Sequence, residues 1–170
     1  MPKNSSLSFP LFALVLLLAG GVAAVWWGKQ NQAALPPTLD ELVQIEVEGW
    51  INTSRPITAA DVQGKWVVVD CWATWCGPCI AALPDLADLR DRLEGRVAVV
   101  GVTSDTSGAM QEINAVVAGV EGFTWPVAYG GDKVFARLNV RAIPTLLLYD
   151  PSGTQVYRGH SLEELEKQLE

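Results

Sequence analysis

Apolar positions along this chain are arranged in three ways, and each predicts a different kind of element. The first is an unbroken apolar segment: no charge occurs from Asn4 through Gly28, Leu11 to Leu18 is densely apolar, and the segment closes on Trp26-Trp27 before Lys29. From Leu7 to Trp27 it is long enough to cross a bilayer at about 1.5 Å per residue, and a tryptophan pair followed by lysine suits the membrane interface. Residues 1–29 are therefore expected to form an uncleaved signal-anchor, a single transmembrane helix. The small residues Val22-Ala23-Ala24 leave a cleaved signal peptide as the alternative. In either case Lys3 and the amino group bias the N-terminus inward, so the rest of the chain is expected on the extracytoplasmic, periplasmic side. Residues 30–42, with Ala, Gln and Pro36-Pro37, read as an extended linker that buries no core. No cysteine lies near the end of the apolar run, which argues against a lipid-modified anchor.

The second arrangement is a short, near-continuous apolar run, as a strand covered on both faces requires. Lys65 to Trp72 has this form, and Val97 to Thr103 and Thr145 to Tyr149 are further strands. The third is helical spacing. Leu83, Leu86, Leu89 and Leu93 recur on one face after Cys79, with Asp85, Asp88, Arg90, Asp91 and Arg92 on the other, and Pro84 is expected to bend that helix. Ser107 to Val117 predicts a helix with Met110, Ile113 and Val117 inward. Asp132 is expected to cap a helix running to Leu138, and Ser161 with Glu164 forms a capping box for the last one. Asp150-Pro151-Ser152-Gly153 reads as the turn of a hairpin between Thr145–Tyr149 and Thr154–Arg158. Ahead of these, Ile45 to Ile51 with Pro56-Ile57 predicts a short hairpin region, and Thr58 to Val62 a single helical turn before Gly64. Such an alternation predicts an α/β domain over residues 43–170, a central sheet with helices on both faces.

Of the 170 residues, the part after the apolar head and the linker is enough for one ordinary core. A net charge of −7 with no basic cluster excludes nucleic acid and anionic lipid surfaces as natural ligands. No internal repeat or low-complexity tract occurs.

Chemistry concentrates in Trp75-Cys76-Gly77-Pro78-Cys79, where the strand ending at Trp72 gives way to a helix. A thiol at a helix start faces unpaired N–H groups and the positive end of the helix dipole, which favour its thiolate, so Cys76 is the candidate nucleophile. One turn on, Cys79 is close enough to attack a mixed disulfide on Cys76 and resolve it. Pro78 suits a first helical turn because it has no N–H to lose, and Gly77 lets another chain approach. Other uses of the pair fit poorly. Structural zinc needs four ligands, and Cys71 and His160 stand at no finger spacing; haem attachment needs a histidine where Ile80 stands. A permanently closed structural disulfide stays open as a reading, although so short a loop restricts the unfolded chain little. Asp70 lies inside an apolar run, where burial should raise its pKa; a solvated strand-end aspartate is the alternative. No lone peroxidatic-cysteine motif is visible.

The stretch Val67-Val68-Val69-Asp70-Cys71-Trp72-Ala73-Thr74-Trp75-Cys76-Gly77-Pro78-Cys79 resembles the active-site strand and helix start of the thioredoxin superfamily. Ala142-Ile143-Pro144-Thr145, 65 residues after Cys79, resembles its proline loop. The N-terminal apolar segment, Pro84 and the long stretch Ser104 to Asn139 narrow the likeness to the membrane-anchored, TlpA-like branch. It covers about Ile45 to Glu170.

This resemblance implies a thioredoxin-like three-layer sandwich with a mixed central sheet, and a dithiol/disulfide couple that needs no cofactor and no metal. It implies a cis Ile143–Pro144 peptide beside the sulfurs, which would let the Ile143 backbone pair with an extended substrate, and Asp70 as a proton relay to Cys79. Trp75, Gly77, Pro78, Ile143 and Pro144 are the expected substrate-binding residues. Partners would be substrate proteins carrying disulfides or thiols and a membrane electron donor, with the chain itself a monomer. Protein disulfide reduction or cytochrome c maturation is the implied role. Ala82 stands where some TlpA-like reductases carry Glu, which argues against the latter, and Val97 to Val102 lacks the lysine that thioredoxins place near the buried acid. Cys71 is expected to be a buried, inert thiol, with a regulatory disulfide to Cys76 or Cys79 as the alternative. Two rival classes remain: copper delivery through Cys76, Cys79 and His160, and a non-catalytic binding module on the same scaffold.

Overall fold

The computed structural model describes residues 36–169, so the Leu7–Trp27 segment and the first part of the linker lie outside the described residues. Among the described residues no helix is long and apolar enough to cross a membrane. The chain divides between Leu35 and Pro36 into two units, and the second carries every element below. In order these are α1 (Leu39–Val43), β1 (Gly49–Ile51), β2 (Trp66–Trp72), α2 (Gly77–Arg92), β3 (Val97–Thr103), α3 (Met110–Gly119), β4 (Val127–Tyr129), α4 (Asp132–Arg137), β5 (Thr145–Tyr149), β6 (Gln155–Gly159) and α5 (Leu162–Glu166).

The six strands form one mixed sheet in the order β1-β4-β3-β2-β5-β6. β2 lies at its middle, parallel to β3 and antiparallel to β5. Side chains of a strand alternate between faces, and β2 shows why its sequence is almost wholly apolar. Val68 and Trp72 enter one core with Leu83, Leu86 and Leu89 of α2, Ile113 of α3 and Leu165 of α5. Val67, Val69 and Cys71 enter a second core on the opposite face, with Leu39 and Leu42 of α1 and Val134 of α4. Helices therefore cover both faces, as expected. Burial of each leucine of α2 contributes about 2 kcal/mol, which holds the start of that helix, and the cysteines on it, against the sheet.

Several expectations need correcting. No hairpin joins Ile45–Ile51 to Pro56-Ile57: Gly49–Ile51 pairs antiparallel with β4, a strand that the sequence pattern did not reveal. Pro56 has no N–H for a ladder, and its neighbourhood is folded on itself, Arg55 Nη1 donating to Asp61 Oδ2 at 2.8 Å and the Thr58 N–H to the same oxygen at 2.7 Å. The end of the expected linker is a helix: Thr38 caps α1, and Leu39 and Leu42 are buried. Asp132 is the first residue of α4 rather than its cap, which is Gly131. Pro84, where a bend is expected, is exposed and lies inside α2, which runs on to Arg92. Ser161 caps α5 by accepting the Glu164 N–H at 3.3 Å, while the Glu164 carboxylate is turned to the Tyr157 hydroxyl at 3.4 Å.

Candidate active site

β2 ends at Trp72, three residues follow, and Cys76 caps α2, with its Sγ accepting the Cys79 N–H at 3.2 Å. Cys76 and Cys79 are joined by a disulfide. Both are nearly enclosed, Cys76 at 5% and Cys79 at 2% exposure, so in the oxidised form the leading sulfur is scarcely more open than its companion. Exposure belongs instead to the rim, where Gly77 and Pro78 are exposed and Trp75 stands 72% free. Trp72, three residues earlier at the end of β2, is fully buried, with its ring edge-on to Phe123, which stacks on Trp125.

Asp70 shares the face of Val68 and Trp72 because it lies two positions from each. It is 3% exposed, and burial pushes its carboxyl up to about 7. Asp70 and Cys79 line one cavity of about 30 Å³ under the helix start, together with Pro144 and His160. The Ile143–Pro144 peptide is cis, as the resemblance implies. The proline loop is pinned by the buried Thr145, whose hydroxyl donates to the Ala142 carbonyl at 2.6 Å. Ile143 and Pro144 themselves are half-buried. The structure thus gathers Cys76, Cys79, Asp70 and Pro144 at one end of β2, and Trp75, Gly77 and Pro78 on the surface above.

Cys71 lies on the other face of the sheet, in the second core. Desolvation first, and the neighbouring Asp70 next, push its thiol far above the ordinary range. A disulfide from Cys71 to either active-site sulfur would have to pass through β2, which removes the regulatory alternative. His160 is exposed, and its Nδ1 is 2.5 Å from the Pro144 carbonyl oxygen. Among the described residues no three His, Cys, Asp or Glu side chains cluster to hold a metal ion.

One residue of the site was missed by sequence reading. Asp105, after β3, accepts the Thr74 N–H at 2.7 Å and the Thr103 hydroxyl at 2.8 Å. Its own carbonyl takes the Gly130 N–H at 2.7 Å. The carboxylate therefore fastens the Ala73-Thr74-Trp75 loop to the end of the neighbouring strand. Nothing local in the sequence marks an aspartate 31 positions after Thr74 for this task.

A disulfide at a helix start, with a buried carboxyl beneath and a cis-proline loop alongside, is an arrangement suited to thiol-disulfide exchange. Known proteins agree with the geometry. Thiol-disulfide oxidoreductase ResA of Bacillus thuringiensis is 25% identical over 98% of this chain and 96% of its own length. Thiol:disulfide interchange protein HelX of Rhodobacter capsulatus is 28% identical over 84% of this chain and 81% of its own. The match to thioredoxin-like protein YneN of Bacillus subtilis, at 29% identity, spans 55% of each chain. Among solved structures, a secreted Mycobacterium tuberculosis disulfide oxidoreductase has the same fold, with a TM-score of 0.61 and 24% identity over 76% of this chain and 97% of that one. The AhpC/TSA family profile matches residues 40–158, from α1 to β6 and across the whole site, and the chain belongs to that family.

Proposed function

We propose that the chain is a membrane-tethered, extracytoplasmic thiol-disulfide oxidoreductase that works chiefly as a reductant of protein disulfides. The observation that carries this reading is the Cys76–Cys79 disulfide at the start of α2 beside the cis Ile143–Pro144 peptide. In the reduced enzyme the Cys76 thiolate, favoured by the end of α2, attacks a substrate disulfide and forms a mixed disulfide. Cys79 gives up its proton toward Asp70 and attacks Cys76 Sγ, closing the enzyme disulfide and releasing the substrate thiol. The exposed Trp75, Gly77, Pro78 and the backbone at Ile143 form the docking rim.

A reductive direction is supported by Gly77-Pro78 between the thiols, which resembles the reducing thioredoxins. The extracytoplasmic side favours oxidation, so a membrane electron donor would have to recharge the pair. Tethering rests on the uncharged Leu7–Trp27 segment. Cytochrome c maturation is a narrower version of this role, and Ala82 remains the residue against it.

Insulin reduction by the full chain tests the reading. Turnover should vanish in Cys76→Ser, and Cys79→Ala should stop at a covalent adduct between Cys76 and insulin. A Cys76→Ser variant that still reduces insulin, or a Cys79→Ala variant that traps nothing, would overturn it. Alkylation of Cys76 in intact cells by a membrane-impermeant reagent tests the side of the membrane, and protection of Cys76 would exclude the extracytoplasmic placement.

A further inference from the structure

Resolution demands that a buried thiol lose a proton, and the fold offers few ways out. Cys79 is 2% exposed and Asp70 3%, and both line the cavity of about 30 Å³ beneath the start of α2. A water molecule needs only about 10–15 Å³ of such space, so the cavity is large enough to bridge thiol and carboxyl. Most of the remaining wall is apolar, with Leu83, Leu86, Leu146 and Leu162. Its one exposed polar side chain is His160.

The histidine is also held in a defined form. A carbonyl oxygen can only accept, so the contact of 2.5 Å between Nδ1 and the Pro144 oxygen places the ring proton on Nδ1. Nε2 is then the acceptor nitrogen of the ring. The other titratable groups nearby are otherwise placed: the Tyr157 hydroxyl donates to the Ser161 carbonyl at 2.9 Å and lies 3.4 Å from the Glu164 carboxylate.

We propose that His160 is the outlet of the proton path serving Cys79, passing to solvent the proton that Asp70 receives across the cavity. This rests on the reading of Cys79 as the resolving thiol. The Cys79 S–H bond breaks and its proton goes to the Asp70 carboxylate. The Cys79 thiolate then attacks Cys76 Sγ, the enzyme–substrate S–S bond breaks, and the Cys76–Cys79 bond forms. The substrate leaves as a thiolate carrying the electron pair and takes a proton from solvent. Asp70 returns to its carboxylate form by releasing its proton through His160. Overall the enzyme dithiol is oxidised and the substrate disulfide reduced, with protons conserved.

Two variants separate proton transfer from simple support of the loop. In His160→Gln the side-chain amide can still donate to the Pro144 carbonyl but cannot carry a proton; in His160→Ala both abilities are lost. Single-turnover oxidation of the reduced full chain by insulin should show the resolution step slowed about tenfold in both variants. Added imidazole should restore that step in His160→Ala, and the alkylation rate of Cys76 should be unchanged in both. A His160→Gln variant that resolves as fast as the parent, a defect that imidazole does not relieve in His160→Ala, or an equal slowing of Cys76 alkylation would each overturn the proposal. If the parent chain itself fails to oxidise its thiols with insulin, the oxidoreductase reading falls instead, so the two failures are distinguishable.

Discussion

Cys71 and Cys79 are both almost wholly buried, at 0% and 2% exposure, yet they stand in opposite chemical situations. Cys79 has a second sulfur bonded to it and lines a cavity shared with the Asp70 carboxyl. Cys71 is packed on the other face of β2 among Val67, Val69 and Leu147, and its thiol is pushed strongly upward by desolvation. Burial alone therefore does not decide whether a thiol is reactive. What decides it is which face of the central strand it meets, and whether a proton acceptor and a partner sulfur wait there.

Removing one sulfur at a time should separate the two faces of β2 most strongly. Cys76→Ser should abolish insulin reduction, whereas Cys71→Ala should leave turnover within about twofold, since Cys71 packs as a small apolar group. Loss of turnover in Cys71→Ala with the fold intact by circular dichroism would erase the distinction between the two faces.

The next largest effect is expected at Asp70, through stability against pH. In the folded chain its carboxyl is pushed up to about 7 from an ordinary 3.8, so this group favours folding most below the ordinary value. That contribution is lost as the pH rises toward 7 and stays lost above it. The displacement corresponds to on the order of 4 kcal/mol. Asp70→Asn, neutral throughout, should be progressively more stable than the parent between about pH 4 and pH 7 in urea titrations, while its resolution step slows. A stability difference independent of pH would mean that Asp70 is not the buried acid described.

A smaller effect is expected at Asp105. Asp105→Ala leaves the Thr74 N–H without its acceptor, and a loss of about 1–3 kcal/mol in thermal or urea unfolding should accompany altered alkylation of Cys76. Unchanged unfolding would show that the loop does not depend on this carboxylate. The least effect on stability belongs to Trp75, which is 72% exposed. Trp75→Ala should change stability by less than about 0.5 kcal/mol and raise KM for insulin without affecting reduction of a small aromatic disulfide. An equal loss with both substrates would remove Trp75 from the docking rim.

Much of the site was legible because its signals are local. A thiol pair one helical turn apart at a strand end, an acid inside an apolar run and a proline before a strand are each read from a few adjacent residues. Strand parity even assigns Asp70 and Cys71 to opposite faces once β2 is recognised. The edge of the sheet was not legible, since Gly49–Ile51 and Val127–Tyr129 are short, distant in sequence, and define each other only by pairing. The helix at Leu39–Val43 was hidden for a similar reason: its sequence resembles a linker, and it is ordered by burying Leu39 and Leu42 on a surface built by other strands.

The thiol pair, its position at a helix start and the alternation of strands and helices are written locally in the chain, because they depend on backbone chemistry and periodicity over a few residues. Only folding in three dimensions makes Asp105 the anchor of the loop and brings His160 to the small cavity of Asp70 and Pro144. Such neighbours come from β2, the segment after β3 and the two ends of the β5–β6 hairpin. Pairing of β2 with β5 and of β5 with β6 gathers Asp70, Pro144 and His160, and packing of α2 on the sheet sets the sulfurs over them.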